Sequence, residues 1–169
     1  MKERRLSLRP TCHDLSNLPD VVEKPFPIFL SSKVIEGFGR GGKQLGIPTA
    51  NMTEDVVNSV LQSAPNGIYF GLAKTDFEKK VRPMVMSLGW NPYFKNEKLS
   101  GEVHIIHNYQ NDFYGTQLKV VILGFIRPEA DFVDIDTLVA EIQRDINFCL
   151  KAVDKEEYKK YFHDKLLSH

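Results

Sequence analysis

The residues best suited to chemistry fall in three places. The first is Gly37-Phe38-Gly39-Arg40-Gly41-Gly42-Lys43-Gln44-Leu45-Gly46, the densest glycine cluster in the chain. Glycines let backbone amides approach an anion closely, and Lys43 adds a positive charge beside them. Gly37, Gly39 and Gly42 satisfy G-x-G-x-x-G, and Gly37, Gly42 and Lys43 satisfy all but the last position of G-x-x-x-x-G-K-[ST]. Both motifs need a helix N-terminus directly after the loop. Gly46 and Pro48 follow instead, and neither belongs in a helix interior. Gln44 also stands where a P-loop carries its hydroxyl. A P-loop fold and a dinucleotide-binding fold are therefore both rejected. Two readings of the loop remain, an anion cradle and a flexible hairpin without a ligand.

The second place is Thr49 and Asn51. Pro48 forces Ile47 into an extended conformation. If the chain stays extended, the Thr49 hydroxyl and the Asn51 amide oxygen point to one face, because side chains alternate along a strand. Such a pair can ligate a hard cation, with nucleotide phosphates completing the shell. The competing reading is a turn before a short helix N-capped by Asp55. The third place is Gly101-Glu102-Val103-His104-Ile105-Ile106-His107, which reads as a strand. Glu102 and His104 share one face; Val103, Ile105 and His107 share the other. A carboxylate fixed on a rigid strand can serve as a general base, or it can simply face solvent. His104 and His107 face opposite ways and cannot hold one metal.

The elements that position these residues are mostly strands. Ile28 to Ile35, Ile68 to Ala73, Val81 to Leu88, Val103 to Ile106 and Leu118 to Ile126 are strand-like runs, joined by Gly, Pro and Asn turns without crossover helices. That pattern requires antiparallel pairing, and five or six such strands close as a barrel or a sandwich. Ile135, Leu138, Val139, Ile142, Ile146 and Cys149 form one face of an amphipathic helix with Asp134 as N-cap. Lys155 to Leu167 reads as a second short helix. Residues 1–27, with four prolines, read as an irregular, disordered leader, and 28–169 as one domain.

Composition narrows the function classes. The chain has 169 residues, with 22 Lys plus Arg against 22 Asp plus Glu, so its formal net charge is zero. That argues against a partner held mainly by phosphate charge, such as bulk nucleic acid. The two cysteines, Cys12 and Cys149, are too few for a disulfide framework or a Cys-rich zinc site, and fit a reducing cytoplasmic compartment. No apolar run reaches the roughly 18 residues of a membrane span. Lys2, Arg4, Arg5 and Arg9 leave mitochondrial association open, although Glu3 and Asp14 count against it.

Three segments taken together resemble the riboflavin kinases (flavokinases). They are Gly37 to Asn51, ending in Ile47-Pro48-Thr49-Ala50-Asn51; Ser87-Leu88-Gly89-Trp90-Asn91-Pro92-Tyr93-Phe94; and Glu102-Val103-His104 followed by Asp112-Phe113-Tyr114-Gly115, with Arg127-Pro128 beyond. The resemblance runs from about Ile28 to about Leu150. It implies an all-β core, a six-stranded antiparallel Greek-key β-barrel with a C-terminal helix packed on it. It also implies transfer of the γ-phosphoryl group of ATP to the terminal ribityl hydroxyl of riboflavin, giving FMN and ADP. By the same resemblance, Glu102 matches the catalytic base and Thr49 and Asn51 the ligands of a divalent metal, magnesium or zinc. Gly37, Lys43, Ile105, His107 and Tyr114 match residues bordering ATP, and Arg127 and Phe132 match residues near the flavin. Gly42, where many relatives carry a hydroxyl, and Ala130, where some carry Lys, depart from the pattern. The chain resembles the monofunctional, eukaryote-type enzymes, since it has no room for a fused adenylyltransferase domain, and a monomer is the default expectation. The rival expectation is a non-catalytic small barrel that binds flavin, or single-stranded nucleic acid through Tyr93, Phe94 and Tyr114.

Overall fold

The structure, a computed structural model, describes residues 8–36, 46–90 and 99–168. Gly37, Lys43, Tyr93 and Phe94 lie outside the described residues. Six strands are described: β1 (Ile28–Lys33), β2 (Ala50–Asn51), β3 (Gly67–Thr75), β4 (Arg82–Trp90), β5 (Leu99–Ile105) and β6 (Gln117–Arg127). Helix α1 (Glu54–Leu61) follows β2; α2 (Ile135–Ala152), α3 (Glu156–Lys159) and α4 (Lys165–Ser168) follow β6.

All sheet neighbours pair antiparallel, in the order β1-β6-β3-β4-β5-β2. The two edges meet where Ile35, just past β1, bridges Asn51, its N–H donating to the Asn51 carbonyl at 2.9 Å. That contact curls the sheet into a barrel, which decides between the two closures the strand pattern allowed. β6 returns to lie between β1 and β3, as in a Greek key.

Alternation along the strands builds two cores. Tyr69, Ala73, Met84, Met86, Val103, Val120 and Ile122 fill the barrel interior, with Val57 and Val60 of α1. Phe70, Leu72, Val85, Val121 and Leu123 face outward and are covered by Ile146, Phe148 and Cys149 of α2. Because β6 is covered on both faces, it reads in sequence as a continuous apolar run. Asp134 caps α2 as its sequence suggests, accepting from the Thr137 N–H at 2.7 Å. The predicted apolar face is buried only in its second half. Ile146 and Cys149 are inside, whereas Ile135, in the first turn, is 64% exposed.

Three details differ from the sequence reading. Thr53, not Asp55, occupies the N-cap of α1, because Ser32 Oγ on β1 accepts from its extended amide at 3.0 Å. Asp55 sits in the first turn, where an acid suits the helix dipole. The Lys155–Leu167 segment is not one helix; a 3-10 turn at Lys160–His163 ends at the extended Asp164, and α4 restarts after it. Nor does a disordered leader describe residues 8–27. The Thr11 and Cys12 amides donate to the Phe125 and Ile126 carbonyls at 3.1 and 2.8 Å, Leu18 is buried, and Tyr158 donates to the Pro19 carbonyl at 2.9 Å. β1 pairs with β6 only as far as Ile122, so carbonyls beyond it need partners, and this segment supplies them. Among the described residues no helix is long and apolar enough to cross a membrane.

Candidate active site

Sheet register brings the candidate residues into one row. Asn51 on β2 pairs with Glu102 on β5, Glu102 with Ser87 on β4, Ser87 with Ile68 on β3, and Ile68 with Arg127 on β6. Directly opposed residues share a face, so all five project to the outer face of the barrel. Ile68 packs with the apolar cluster beneath α2, which identifies that face. Asn51 and Glu102 are immediate neighbours, about 5 Å apart at Cβ. Three inter-strand spacings separate Glu102 from Arg127, about 14 Å along the sheet.

Arg127 reaches this face because β6 is irregular. Tyr69 pairs with Phe125 and Ile68 with Arg127, so Ile126 is an extra residue bulged out of the ladder. Phe125 points into the barrel, and strict alternation would send Arg127 inward as well. The bulge re-aims it outward toward α2. There its Nε and Nη2 donate to Asp145 at 2.9 and 2.7 Å, and its guanidinium lies 5.7 Å from the centre of the Phe132 ring. The two residues expected near the flavin are therefore in contact. Asp145 is 2% exposed. Its role was not legible in the sequence, although an acid on the buried side of an otherwise apolar helix face was the available signal.

At the other end of the row, Asn51 is buried, and among the described residues its Oδ1 has no hydrogen-bond partner. Leaving a buried carbonyl oxygen unsatisfied costs free energy unless a ligand completes it. An oxygen donor of this kind, opposite a carboxylate, fits a hard divalent cation. Glu102 is half-buried, and desolvation pushes its carboxyl above the ordinary range. Glu129, just past β6, lays its carboxylate over Gly89; a Cβ at Gly89 would come 2.1 Å from Glu129 Oε1. Desolvation raises the Glu129 carboxyl too; nearby Arg127 opposes the shift, and Glu102 adds to it.

A cavity of about 390 Å³ opens beside this end, lined by Thr49, Ile105, His107 and Tyr114 among others. Four residues expected at the nucleotide thus come together from three segments. Ile105 is buried in the barrel mouth, whereas Tyr114 is 52% exposed on the rim. His104, on the same face as Glu102, has Nδ1 2.7 Å from the Pro48 carbonyl, which ties the Thr49 segment to β5. Tyr109, also in the lining, was not singled out by sequence. Its ring meets His107 edge-on at 4.7 Å and Phe113 at 5.1 Å, and its hydroxyl donates to Glu78 at 2.5 Å. The aromatic spacing of Tyr109, Phe113 and Tyr114 in one connection was the signal. Cys149 is no nucleophile: burial pushes its thiol up to about 12, and it donates to the Met84 carbonyl at 3.3 Å.

Comparison with known proteins bears on what this arrangement does. A family model described as Flavokinase: Riboflavin kinase matches residues 24–153. The chain is 47% identical over 137 residues to the riboflavin kinase of Mus musculus, covering 81% of this chain and 88% of that protein. It is 46% identical over 138 residues to the riboflavin kinase of Homo sapiens, covering 82% and 88%. The crystal structure of riboflavin kinase from Trypanosoma brucei is similar with a TM-score of 0.67 at 27% identity, covering 85% of this chain and 90% of that one. A match over most of the chain, with identity this high, means that the chain belongs to the riboflavin kinase (flavokinase) family.

Proposed function

We propose that this protein is a riboflavin kinase, transferring the γ-phosphoryl group of ATP to the terminal ribityl hydroxyl of riboflavin. The observation that carries the reading is the register pair Asn51–Glu102, in one row with Arg127 and on the same two strands, β2 and β5, that line the Thr49–His107 cavity. ATP occupies the cavity, bordered by Ile105, His107 and Tyr114. The isoalloxazine ring lies near Arg127 and Phe132. The polyol chain then runs along the row toward Glu102, and the span of about 14 Å suits a substrate with a flat head and an extended tail.

Phosphoryl transfer asks a protein for positioning and charge neutralisation rather than covalent chemistry. Glu102 accepts the proton of the ribityl hydroxyl as that oxygen bonds to the γ-phosphorus. The bond from the γ-phosphorus to the bridging oxygen breaks, ADP leaves, and the proton passes from Glu102 to solvent. A raised carboxyl pKa brings Glu102 nearer the pH at which it works. Thr49 and Asn51 would hold the divalent cation, magnesium or zinc. When bound, that ion neutralises phosphate charge. Two unpaired cysteines, one exposed and one buried, suit the cytoplasm.

The test is incubation of the protein with riboflavin, ATP and either cation, resolved by chromatography. FMN that appears only with ATP and a cation together is the expected result. Riboflavin bound without FMN would favour a non-catalytic flavin-binding barrel. Neither binding nor product would overturn the proposal.

A further inference from the structure

Arg127 is held by more than one partner. Both oxygens of the buried Asp145 accept from its guanidinium, a two-point fork. The same Asp145 Oδ1 lies 2.6 Å from His13 Nε2. An ionised carboxylate only accepts, so His13 Nε2–H is the donor. Glu141 Oε1 stands 3.5 Å from the His13 nitrogen and 3.6 Å from Arg127 Nε. His13, Glu141 and Asp145 have the composition of a cation site, their ligand atoms within 4.8 Å of one another. Arg127 already supplies the positive charge there, so the cluster reads as a positioning network instead.

The N-terminal segment is built to deliver His13. Cys12 and His13 hold φ of 50° and 66°, a left-handed conformation that side chains rarely adopt. Such backbone persists only where its surroundings over-determine it. Here the Thr11 and Cys12 amides are pinned to the Phe125 and Ile126 carbonyls, directly before Arg127, and the His13 ring meets Phe148 edge-on at 6.3 Å.

We infer that residues 11–13 form a clasp on the end of β6, and that His13, through Asp145, positions the Arg127 guanidinium for the flavin. The inference rests on the proposed function, which places the flavin at Arg127. The clasp lies at the flavin end of the row, away from Glu102, so it governs riboflavin affinity and not the chemical step.

The experiment compares His13→Ala, His13→Gln and His13→Asn by riboflavin fluorescence quenching and steady-state kinetics, with thermal unfolding followed in parallel. His13→Ala is expected to raise the riboflavin Kd and KM roughly 3- to 10-fold, leaving kcat and the KM for ATP within about twofold. His13→Gln places a donor nitrogen where Nε2 stands and restores parental values; His13→Asn falls short and does not. If the alanine variant folds poorly, the Gln and Asn pair carries the same comparison. In an Asp145→Asn background, His13→Ala should add nothing further. Arg127→Lys separates the two ideas. Should it weaken riboflavin binding while His13→Ala does not, the clasp is overturned and the flavin site stands. If Arg127→Lys leaves riboflavin affinity unchanged, the flavin placement fails, and the clasp fails with it.

Discussion

At the scale of single residues, Glu102 is the proposed base, and its surroundings give two measurable consequences. Desolvation raises its carboxyl pKa, and only the ionised form can take a proton. Turnover should therefore fall as pH is lowered through that raised pKa. The acid limb of a kcat–pH profile should lie above the roughly 4.3 of an ordinary Glu. Stability carries the same sign. A carboxyl whose folded pKa is raised binds its proton more tightly in the native state, so its ionised form burdens the fold above that pKa. Glu102→Gln should thus be the more stable protein at neutral pH, with the gap closing as pH falls to about 4.3. Denaturant midpoints at the two pH values check this. Alternation along one strand made it legible in the sequence that Glu102 and His104 share a face. The partnership with Asn51 was not legible, because cross-strand register is a non-local property.

Elements explain why some positions could be read and others could not. Local signals were sound where the determinant is local. The Asp134 cap is one, and Asp134→Ala should lower stability while leaving kcat unchanged, read by thermal unfolding and a rate assay. Asp55 was misplaced as a cap because Ser32, on another strand, fixes the entry to α1. The aim of Arg127 was illegible for a related reason. Period-two alternation along β6 breaks at Ile126, and nothing in a continuous apolar run announces a bulge. Helix periodicity predicted the apolar face of α2 but not that its first turn would stand clear of the sheet.

Across the whole molecule, the barrel sets a cavity lined by Thr49 and His107 near one end of a row of residues and a bidentate Arg–Asp pair at the other. Short strands joined by tight turns specified antiparallel pairing, but left barrel and sandwich open. One bridge, Ile35 to Asn51, joins the two edges and at the same time fixes Asn51 beside Glu102. Closure and site assembly are one event here. Proline content made residues 8–27 look loose, because the β6 carbonyls they bind lie more than a hundred residues away in sequence. The measurement that tests the central claim most directly is turnover of Glu102→Gln, with riboflavin affinity measured on the same sample. The account predicts a kcat lowered by roughly 10²–10⁴ with riboflavin still bound at near-parental affinity. Unchanged turnover would remove Glu102 from the role of base and contradict the mechanism.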